Sequence, residues 1–155
     1  MKKYELTEET VTVYGKTLYR IRAVRDFGSV KTGEFGGYIE KEENLSHFGN
    51  AWISGDAWVY GNAWVYGNAW VYGNAEVFNT RHFFVQGPIG SRDGYVTFYR
   101  TKDDTIGVRC GCFSGSLQKF VDRVEETHGG SRYEKEYKIA AELAKVCIRL
   151  EGESR

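Results

Sequence analysis

A six-residue repeat between Gly49 and Phe78 constrains the fold more than any other feature of this 155-residue sequence. Alternate side chains of an extended chain face opposite sides, so the alanine and valine of each unit share one face and the tryptophan takes the other. Glycine and asparagine tolerate positive φ, so a turn at each Gly-Asn pair costs little. A chain that turns so often while burying alanine and valine must wind around a narrow axis. The five units are Gly49-Asn50-Ala51-Trp52-Ile53-Ser54, Gly55-Asp56-Ala57-Trp58-Val59-Tyr60, Gly61-Asn62-Ala63-Trp64-Val65-Tyr66, Gly67-Asn68-Ala69-Trp70-Val71-Tyr72 and Gly73-Asn74-Ala75-Glu76-Val77-Phe78.

Started at the valine, a unit such as Val59-Tyr60-Gly61-Asn62-Ala63-Trp64 resembles the hexapeptide motif of left-handed β-helix proteins. In that family three units make one triangular coil, so the resemblance implies that residues eighteen apart stack, as Trp52 on Trp70. Upstream, Ile39 and Leu45 occupy alanine positions of the same phase. We therefore expect the coil to begin near Gly36.

The amino-terminal pattern as a whole is similar to uncharacterised bacteriophage and prophage proteins. The similarity is carried by Leu18–Ala23, Gly36–Glu40 and Asn44-Leu45 together with the hexads. Those proteins join such a coil to a small carboxy-terminal domain, and the resemblance brings no established activity with it. It implies a phage-encoded protein that acts in the host cytoplasm.

The segments around the repeat complete the predicted architecture. Val11–Tyr14 and Thr17–Ala23 alternate around Gly15-Lys16 and predict a β-hairpin that caps the open edge of the coil. After the repeat the pattern predicts three strands and two helices. The fold class that we expect is mainly β with an α+β tail. A hairpin cap spans residues 1–35, a short left-handed parallel β-helix residues 36–80, and a β-β-β-α-α domain residues 81–155.

Helix boundaries in the carboxy-terminal domain follow from short polar signals. The first helix is expected to start at Ser114 or Ser116 and to end before Gly129. The second opens with Ser131-Arg132-Tyr133-Glu134, which has the spacing of a capping box.

Composition narrows the classes of function. Lysine plus arginine and aspartate plus glutamate number 21 each, so the chain lacks the basic surplus typical of phosphate-backbone binding, and a nucleic-acid partner is not expected. The amino terminus has no signal-peptide pattern, and no apolar run is long enough to span a bilayer. Three cysteines show no disulfide-framework spacing. These features predict a cytoplasmic protein without membrane segments.

Four tryptophans occupy the outward position of successive hexads: Trp52, Trp58, Trp64 and Trp70. Each indole can bury roughly 150–250 Å². Together they would expose more apolar area than a monomer normally tolerates, so we expect them to form an oligomer interface, with a homotrimer as the leading state. The alternative is packing within one chain.

One loop has the composition of an anion-binding site. The glycines of Gly87–Arg92 would let backbone N–H groups approach an anion, and arginine pairs with phosphate or carboxylate through two hydrogen bonds. Aromatic and cationic residues follow on the next strand. The predicted ligand-binding residues are Ser91, Arg92, Tyr99, Arg100 and Lys102. The alternative is an ordinary turn with solvated arginines.

The cysteines and histidines give weaker indications of chemistry. Cys110-Gly111-Cys112 lacks the second pair of a zinc site and continues an apolar stripe, so we expect both cysteines to pack in the core. His47 falls at an inward position of the repeat phase. His82 and His128 are the candidate general bases if the chain resembles hexapeptide acyltransferases in activity. No catalytic residue, metal or cofactor is predicted.

Three hypotheses remain from the sequence. The first is a non-enzymatic, oligomeric binding protein that engages a host protein or captures a small anionic, nucleotide-like ligand, and by analogy blocks a host defence system. The second is an acyltransferase-like enzyme, and the third is a purely structural assembly module.

Overall fold

The computed structural model describes residues 2–151. Most of these residues lie in short strands, and two α-helices follow at the carboxy-terminal end. The elements are β1 (Tyr4–Val13), β2 (Lys16–Ala23), β3 (Phe35–Ile39), a one-turn 3₁₀ helix (Glu42–Asn44), β4 (Trp52–Ile53), β5 (Trp58–Val59), β6 (Trp70–Val71), β7 (Glu76–Val77), β8 (Phe83–Ile89), β9 (Gly94–Arg100), β10 (Ile106–Cys110), β11 (Phe113–Ser116), α1 (Leu117–His128) and α2 (Arg132–Cys147).

The strands form three sheets. A five-stranded sheet has the order β1-β2-β3-β5-β7, in which the first three strands are antiparallel and the last three are parallel. A four-stranded sheet of order β11-β10-β9-β8 is antiparallel throughout. Strands β4 and β6 form a parallel pair.

The predicted left-handed parallel β-helix is wrong as a description of this fold, because the five-stranded sheet is mixed, the four-stranded sheet is antiparallel, and β4 and β6 form no more than a two-stranded parallel pair. Each hexad supplies at most two residues of strand, so the repeat by itself forms only short parallel ladders. The largest of these ladders is completed by the antiparallel hairpin β1–β2 through β3. The repeat is therefore one component of a mixed sheet rather than a self-contained coil.

The inward face of the repeat is as predicted. The alanine and aliphatic positions of the five hexads are at most 2% exposed: Ala51, Ile53, Ala57, Val59, Ala63, Val65, Ala69, Val71, Ala75 and Val77. The glycine that opens each hexad has φ between 64° and 70°, a conformation that other residues adopt only with strain. Pairing of Trp52 with Trp70 confirms stacking of residues eighteen apart.

The phase predicted upstream of the repeat is wrong. Ile39 pairs with Val59 and Leu45 pairs with Val65, so both residues align with valine rather than alanine positions. The cause is an insertion, since Leu45 and Trp52 are two residues further apart in the chain than their partners Val65 and Trp70. The extra residues enlarge the corner before the first hexad.

The amino-terminal hairpin is confirmed, and its strands are longer than the sequence indicated. β1 and β2 pair through a tight turn in which Tyr14 and Gly15 both have positive φ. Tyr4 and Ile21 project from the hairpin into the core that contains the repeat. Lys3 lies buried just before β1 and donates a hydrogen bond from Nζ to the Ala51 carbonyl at 2.6 Å.

The carboxy-terminal unit has four strands before its two helices, one more than predicted. Val96, Phe98 and Val108 form a second core with the inner faces of α1 and α2. Ser116 caps α1 by accepting a hydrogen bond from Lys119 N, which confirms the predicted helix start.

The capping box predicted for α2 is wrong. Ser131 occupies the N-cap position, but its hydroxyl donates to the His128 carbonyl at 2.7 Å rather than capping α2. Glu134 instead accepts a hydrogen bond from Gly130 N. The division into the residue ranges 1–35, 36–80 and 81–155 stays a prediction.

Truncating a buried isoleucine should show how much the repeat interior contributes to stability. We expect Ile53→Ala to lower the free energy of unfolding by about 2–5 kcal/mol, because it leaves a cavity beside neighbouring strands. Ile139→Ala makes the same chemical change at an exposed position of α2 and should alter stability by less than about 0.5 kcal/mol. Urea unfolding followed by circular dichroism measures both. If the two variants lose equal amounts of unfolding free energy, Ile53 does not belong to the buried interior of the repeat.

The buried Lys3 should give stability a specific pH dependence. Burial, together with the nearby Arg25 cation, lowers the pKa of Lys3 from 10.5 to about 8. Between these two values the unfolded chain binds the proton more tightly than the folded chain, so stability rises with pH. Urea unfolding between pH 8 and pH 10 should show a steeper rise for wild type than for Lys3→Met. Parallel curves would show that Lys3 is not buried in its neutral form.

Candidate functional site

The four tryptophans face outward from the hexads, but the rest of the chain covers them unequally. Trp52 is 1% exposed, since Phe27 packs edge-on against its ring at 5.2 Å. Trp58 lies under the Lys102 ammonium, and Trp70 contacts the Arg109 guanidinium at 4.3 Å from the ring centroid. Trp52 therefore cannot form part of the predicted oligomer interface, and Trp58 and Trp70 present reduced surfaces.

Trp64 differs from the other three because no further strand of the described chain covers its side of the repeat. The ring is 52% exposed. Val65 pairs with Leu45 on one side and uses both its N–H and its carbonyl there. The N–H groups of Trp64 and Tyr66 make no hydrogen bond to any of residues 2–151. On the other two sides of the repeat, the corresponding N–H groups of Trp52 and Trp58 are bonded to the next turn of chain.

An apolar groove runs beside this open edge. We call it the aromatic groove, and it has a volume of about 470 Å³. Tyr66 stacks on Trp64 at 4.5 Å and meets the ring of Phe83 edge-on at 6.4 Å. The lining residues are Trp64, Tyr66, Gly67, Asn68, Thr80, Phe83, Phe84 and Val85, none of which is charged.

The far wall of the aromatic groove is the edge strand of the antiparallel sheet. β8 stands at the end of that sheet and, within residues 2–151, pairs with β9 alone. Three consecutive residues of β8, Phe83 to Val85, line the groove. Because consecutive strand residues point to opposite faces, the groove must run along the backbone edge of β8 rather than over one face. Two strand edges therefore border one uncharged groove.

The structure places the first two predicted ligand-binding residues in an exposed hairpin turn. Ser91 and Arg92 lie between β8 and β9. The neighbouring Gly90 N–H, which was expected to face an anion, donates to Glu136 Oε1 at 2.7 Å. A carboxylate thus already occupies the position that the predicted anion would take. Gly87 to Ile89 belong to β8 rather than to a loop.

Arg100 lies at the end of β9 that is farther from that turn. Six residues of extended chain separate the two, which corresponds to roughly 20 Å. It is 4% exposed and forms a buried ion-pair network. Its Nε donates to Asp104 Oδ1 at 2.9 Å, and its Nη1 donates to Glu76 Oε1 at 3.3 Å. Burial alone would lower the pKa of Arg100, but the hydrogen bonds to Asp104 and Glu76 raise it above its ordinary value. Arg100 therefore stabilises the fold and is not free to bind a ligand.

The other two predicted ligand residues are also separated from the hairpin turn. Lys102 donates to the Asp56 carbonyl at 2.8 Å while it covers Trp58. The Tyr99 ring packs into the repeat core rather than standing free to stack on a ligand. The structure does not bring Ser91, Arg92, Tyr99, Arg100 and Lys102 together into one site.

The histidines are engaged in structural contacts. His82 is buried, with Nδ1 accepting from Phe78 N and Nε2 3.2 Å from the Asn79 amide nitrogen. His128 packs against Tyr133 and Tyr137. His47 does not point inward as predicted, since its ring stacks on Tyr4 and stays half-buried.

The cysteines differ from each other. Cys110 packs against the second core as expected. Cys112 lies exposed in the turn after Gly111, so its predicted burial is wrong. Among residues 2–151, no three histidine, cysteine, aspartate or glutamate side chains are grouped closely enough to hold a metal ion.

Comparison with known proteins leaves the assignment of function to the structure. No protein-family model matches the sequence, and no curated protein matches it. Within residues 2–151, neither helix has the length and apolar character needed to cross a bilayer.

Replacing Arg100 should destabilise the fold, because Glu76 would remain buried without its cation. We expect Arg100→Met to lower the free energy of unfolding by about 3–5 kcal/mol. The double variant Arg100→Met/Glu76→Gln should recover part of the loss. Arg92→Met in the exposed turn is the matched control and should have little effect. If both single variants unfold at the same urea concentration, Arg100 does not have the structural role described above.

Proposed function

We propose that this chain is a non-catalytic binding protein that holds an extended, apolar segment of a partner protein in the aromatic groove. The observation that carries the proposal is the pair of unbonded N–H groups at Trp64 and Tyr66 beside a groove without charged residues. An open strand edge is a template for pairing with another extended chain. Binding by strand addition obtains affinity from main-chain hydrogen bonds and specificity from pockets for alternate side chains.

The chemistry of the lining defines the partner segment. Aromatic rings and valine would cover apolar side chains of the bound strand, and the exposed Trp64 would become a buried anchor. Tryptophan and tyrosine dominate the energetics of many interfaces, because large rings bury much area with little conformational entropy loss. Phe48, which is 82% exposed, directly precedes Gly49, whose backbone lies close to that of the groove residue Gly67.

A partner protein suits the groove better than the chain's own free edge does. The outer strand β1 carries Glu5, Glu8 and Glu9, and a second copy that inserted β1 would bring these carboxylates to an uncharged groove. Burying an unpaired carboxylate is costly. The predicted homotrimer stays a prediction, with Trp64 as its best-exposed tryptophan.

The phage origin and the inhibition of a host defence system also stay predictions, because both depend on the resemblance alone. An intracellular partner with an exposed β edge or a disordered apolar segment would fit the groove that the repeat leaves open. For the acyltransferase alternative, both ring nitrogens of His82 contact neighbouring residues, which leaves His128 as the candidate general base.

A peptide selection tests the proposal. Short random peptides selected on immobilised wild-type protein should carry apolar residues at alternate positions, and an alanine scan of a selected peptide should show a period of two. Trp64→Ala should weaken binding of that peptide about thirtyfold, since a buried tryptophan anchor contributes ~2 kcal/mol or more. Fluorescence polarisation with the labelled peptide gives the Kd.

The matched control is Phe35→Ala, which removes an exposed aromatic ring outside the groove and should leave the Kd unchanged. Equal affinity of Trp64→Ala and wild type would contradict the proposal. Sedimentation velocity provides a second check. A wild-type oligomer that dissociates in Trp64→Ala would assign the groove to another copy of this chain and overturn the partner-segment assignment.

A further inference from the structure

A second concave site lies between the repeat and the antiparallel sheet, away from the aromatic groove. The cleft has a volume of about 330 Å³. Its walls are the corner Tyr72–Asn74, the repeat-facing side of β9–β11 and the residue that caps α1. Hydroxyl and amide side chains dominate the polar part of the lining: Asn74, Tyr99, Thr101, Thr105, Ser114 and Ser116.

Tyr99 supplies a hydroxyl donor that has no acceptor within residues 2–151. Its side chain lines the cleft although the residue is only 3% exposed, and the hydroxyl lies near Gly73. No hydrogen bond within residues 2–151 involves this hydroxyl, and its oxygen is open to the cleft rather than enclosed by protein. Burial raises the pKa of Tyr99 to about 12, so the hydroxyl keeps its proton and remains a donor near neutral pH. The hydroxyl is therefore a donor that a ligand in the cleft can use.

Arg109 supplies a cation behind the Tyr72 wall of the cleft. Its guanidinium lies 4.3 Å from the Trp70 ring centroid and 4.5 Å from that of Tyr72, which lines the cleft. Its Nε is buried without a hydrogen bond, and no carboxylate of the described chain forms an ion pair with it. In the β10–β11 ladder Arg109 stands opposite Ser114. Stacking occupies the faces of a guanidinium, and Nε is enclosed, so the N–H groups of the two terminal nitrogens are the ones available to an anion.

The start of α1 adds to the positive potential. Ser116 is the N-cap of this 12-residue helix, and no acidic side chain lies in the first turn. The free N–H groups and the helix dipole at an N-terminus favour an anion, and here they accompany the unbonded Tyr99 hydroxyl. Asp103 also lines the cleft, but it is exposed to solvent and could accept a hydrogen bond only from a hydroxyl or amine of the ligand.

From these contacts we propose that the cleft binds a phosphate monoester whose remaining part carries hydroxyl groups, such as a sugar phosphate. A phosphate group has three strong acceptor oxygens. The guanidinium of Arg109 and the hydroxyls of Tyr99, Ser114 and Ser116 supply donors to these oxygens. Asp103 and Asn74 then face the ligand's hydroxyl groups.

Isothermal titration calorimetry with ribose 5-phosphate tests this site. Wild type should bind it, should bind inorganic phosphate more weakly and should not bind ribose. Tyr99→Phe removes only the unbonded hydroxyl and should weaken binding roughly tenfold, and Arg109→Gln should weaken it about tenfold to a hundredfold. Arg92→Gln, in the exposed hairpin turn, is the charge-matched control and should bind like wild type.

Three results would overturn the assignment. The first is the absence of ribose 5-phosphate binding to wild type, and the second is an unchanged affinity in Tyr99→Phe. The third is an equal loss of affinity in Arg92→Gln and Arg109→Gln, because binding would then reflect general charge attraction. Tyr99→Phe keeps the test valid if Arg109→Gln fails to fold, since it removes one exchangeable hydroxyl and no packing area. Trp64→Ala should bind ribose 5-phosphate normally, which separates this site from the aromatic groove.

Discussion

The fold depends on burying the alanine and valine side chains of a chain that turns every six residues. Turning so often requires positive φ at each hexad glycine, and packing so closely requires alanine rather than a larger residue inside. Each hexad contributes at most two residues to a ladder, so main-chain hydrogen bonds within the repeat are few. The apolar interior and the neighbouring hairpin and sheet supply the remaining stabilisation.

This arrangement decides what the outside of the repeat can do. Because small residues fill the interior, the tryptophan rings lie outside the repeat. Each ring is then shielded from solvent only if another segment of the chain packs against it. The segment around Phe27 covers Trp52, and the antiparallel sheet covers Trp70 through Arg109. Nothing in the described chain adds a strand beside Trp64, so the same repeat that builds the core leaves one strand edge and one indole ring uncovered.

Two arginines of the antiparallel sheet show that residue type alone does not define a binding residue. Arg100 has three carboxylates within ion-pair distance, from Glu76, Asp104 and Glu151, and its charge is satisfied inside the fold. Arg109 contacts two aromatic rings instead, and rings leave its in-plane donors unused. The difference lies in which elements pack nearby, because both side chains can donate the same set of hydrogen bonds.

The sequence by itself determined the local features: the inward alanines and valines, the glycine corners, the amino-terminal hairpin and the cap at Ser116. Each of these follows from backbone preferences and side-chain alternation within a few residues. Tertiary structure alone decided how the short strands join into mixed sheets and which tryptophan side chain stays exposed. It also decided that the charge near Tyr99 is that of Arg109 rather than Arg92. Strand alternation put Arg109 on the face opposite the apolar stripe, but its partners depend on sheet register and on packing between segments distant in sequence. Periodicity does not encode those long-range pairings, because many registers satisfy the same alternation.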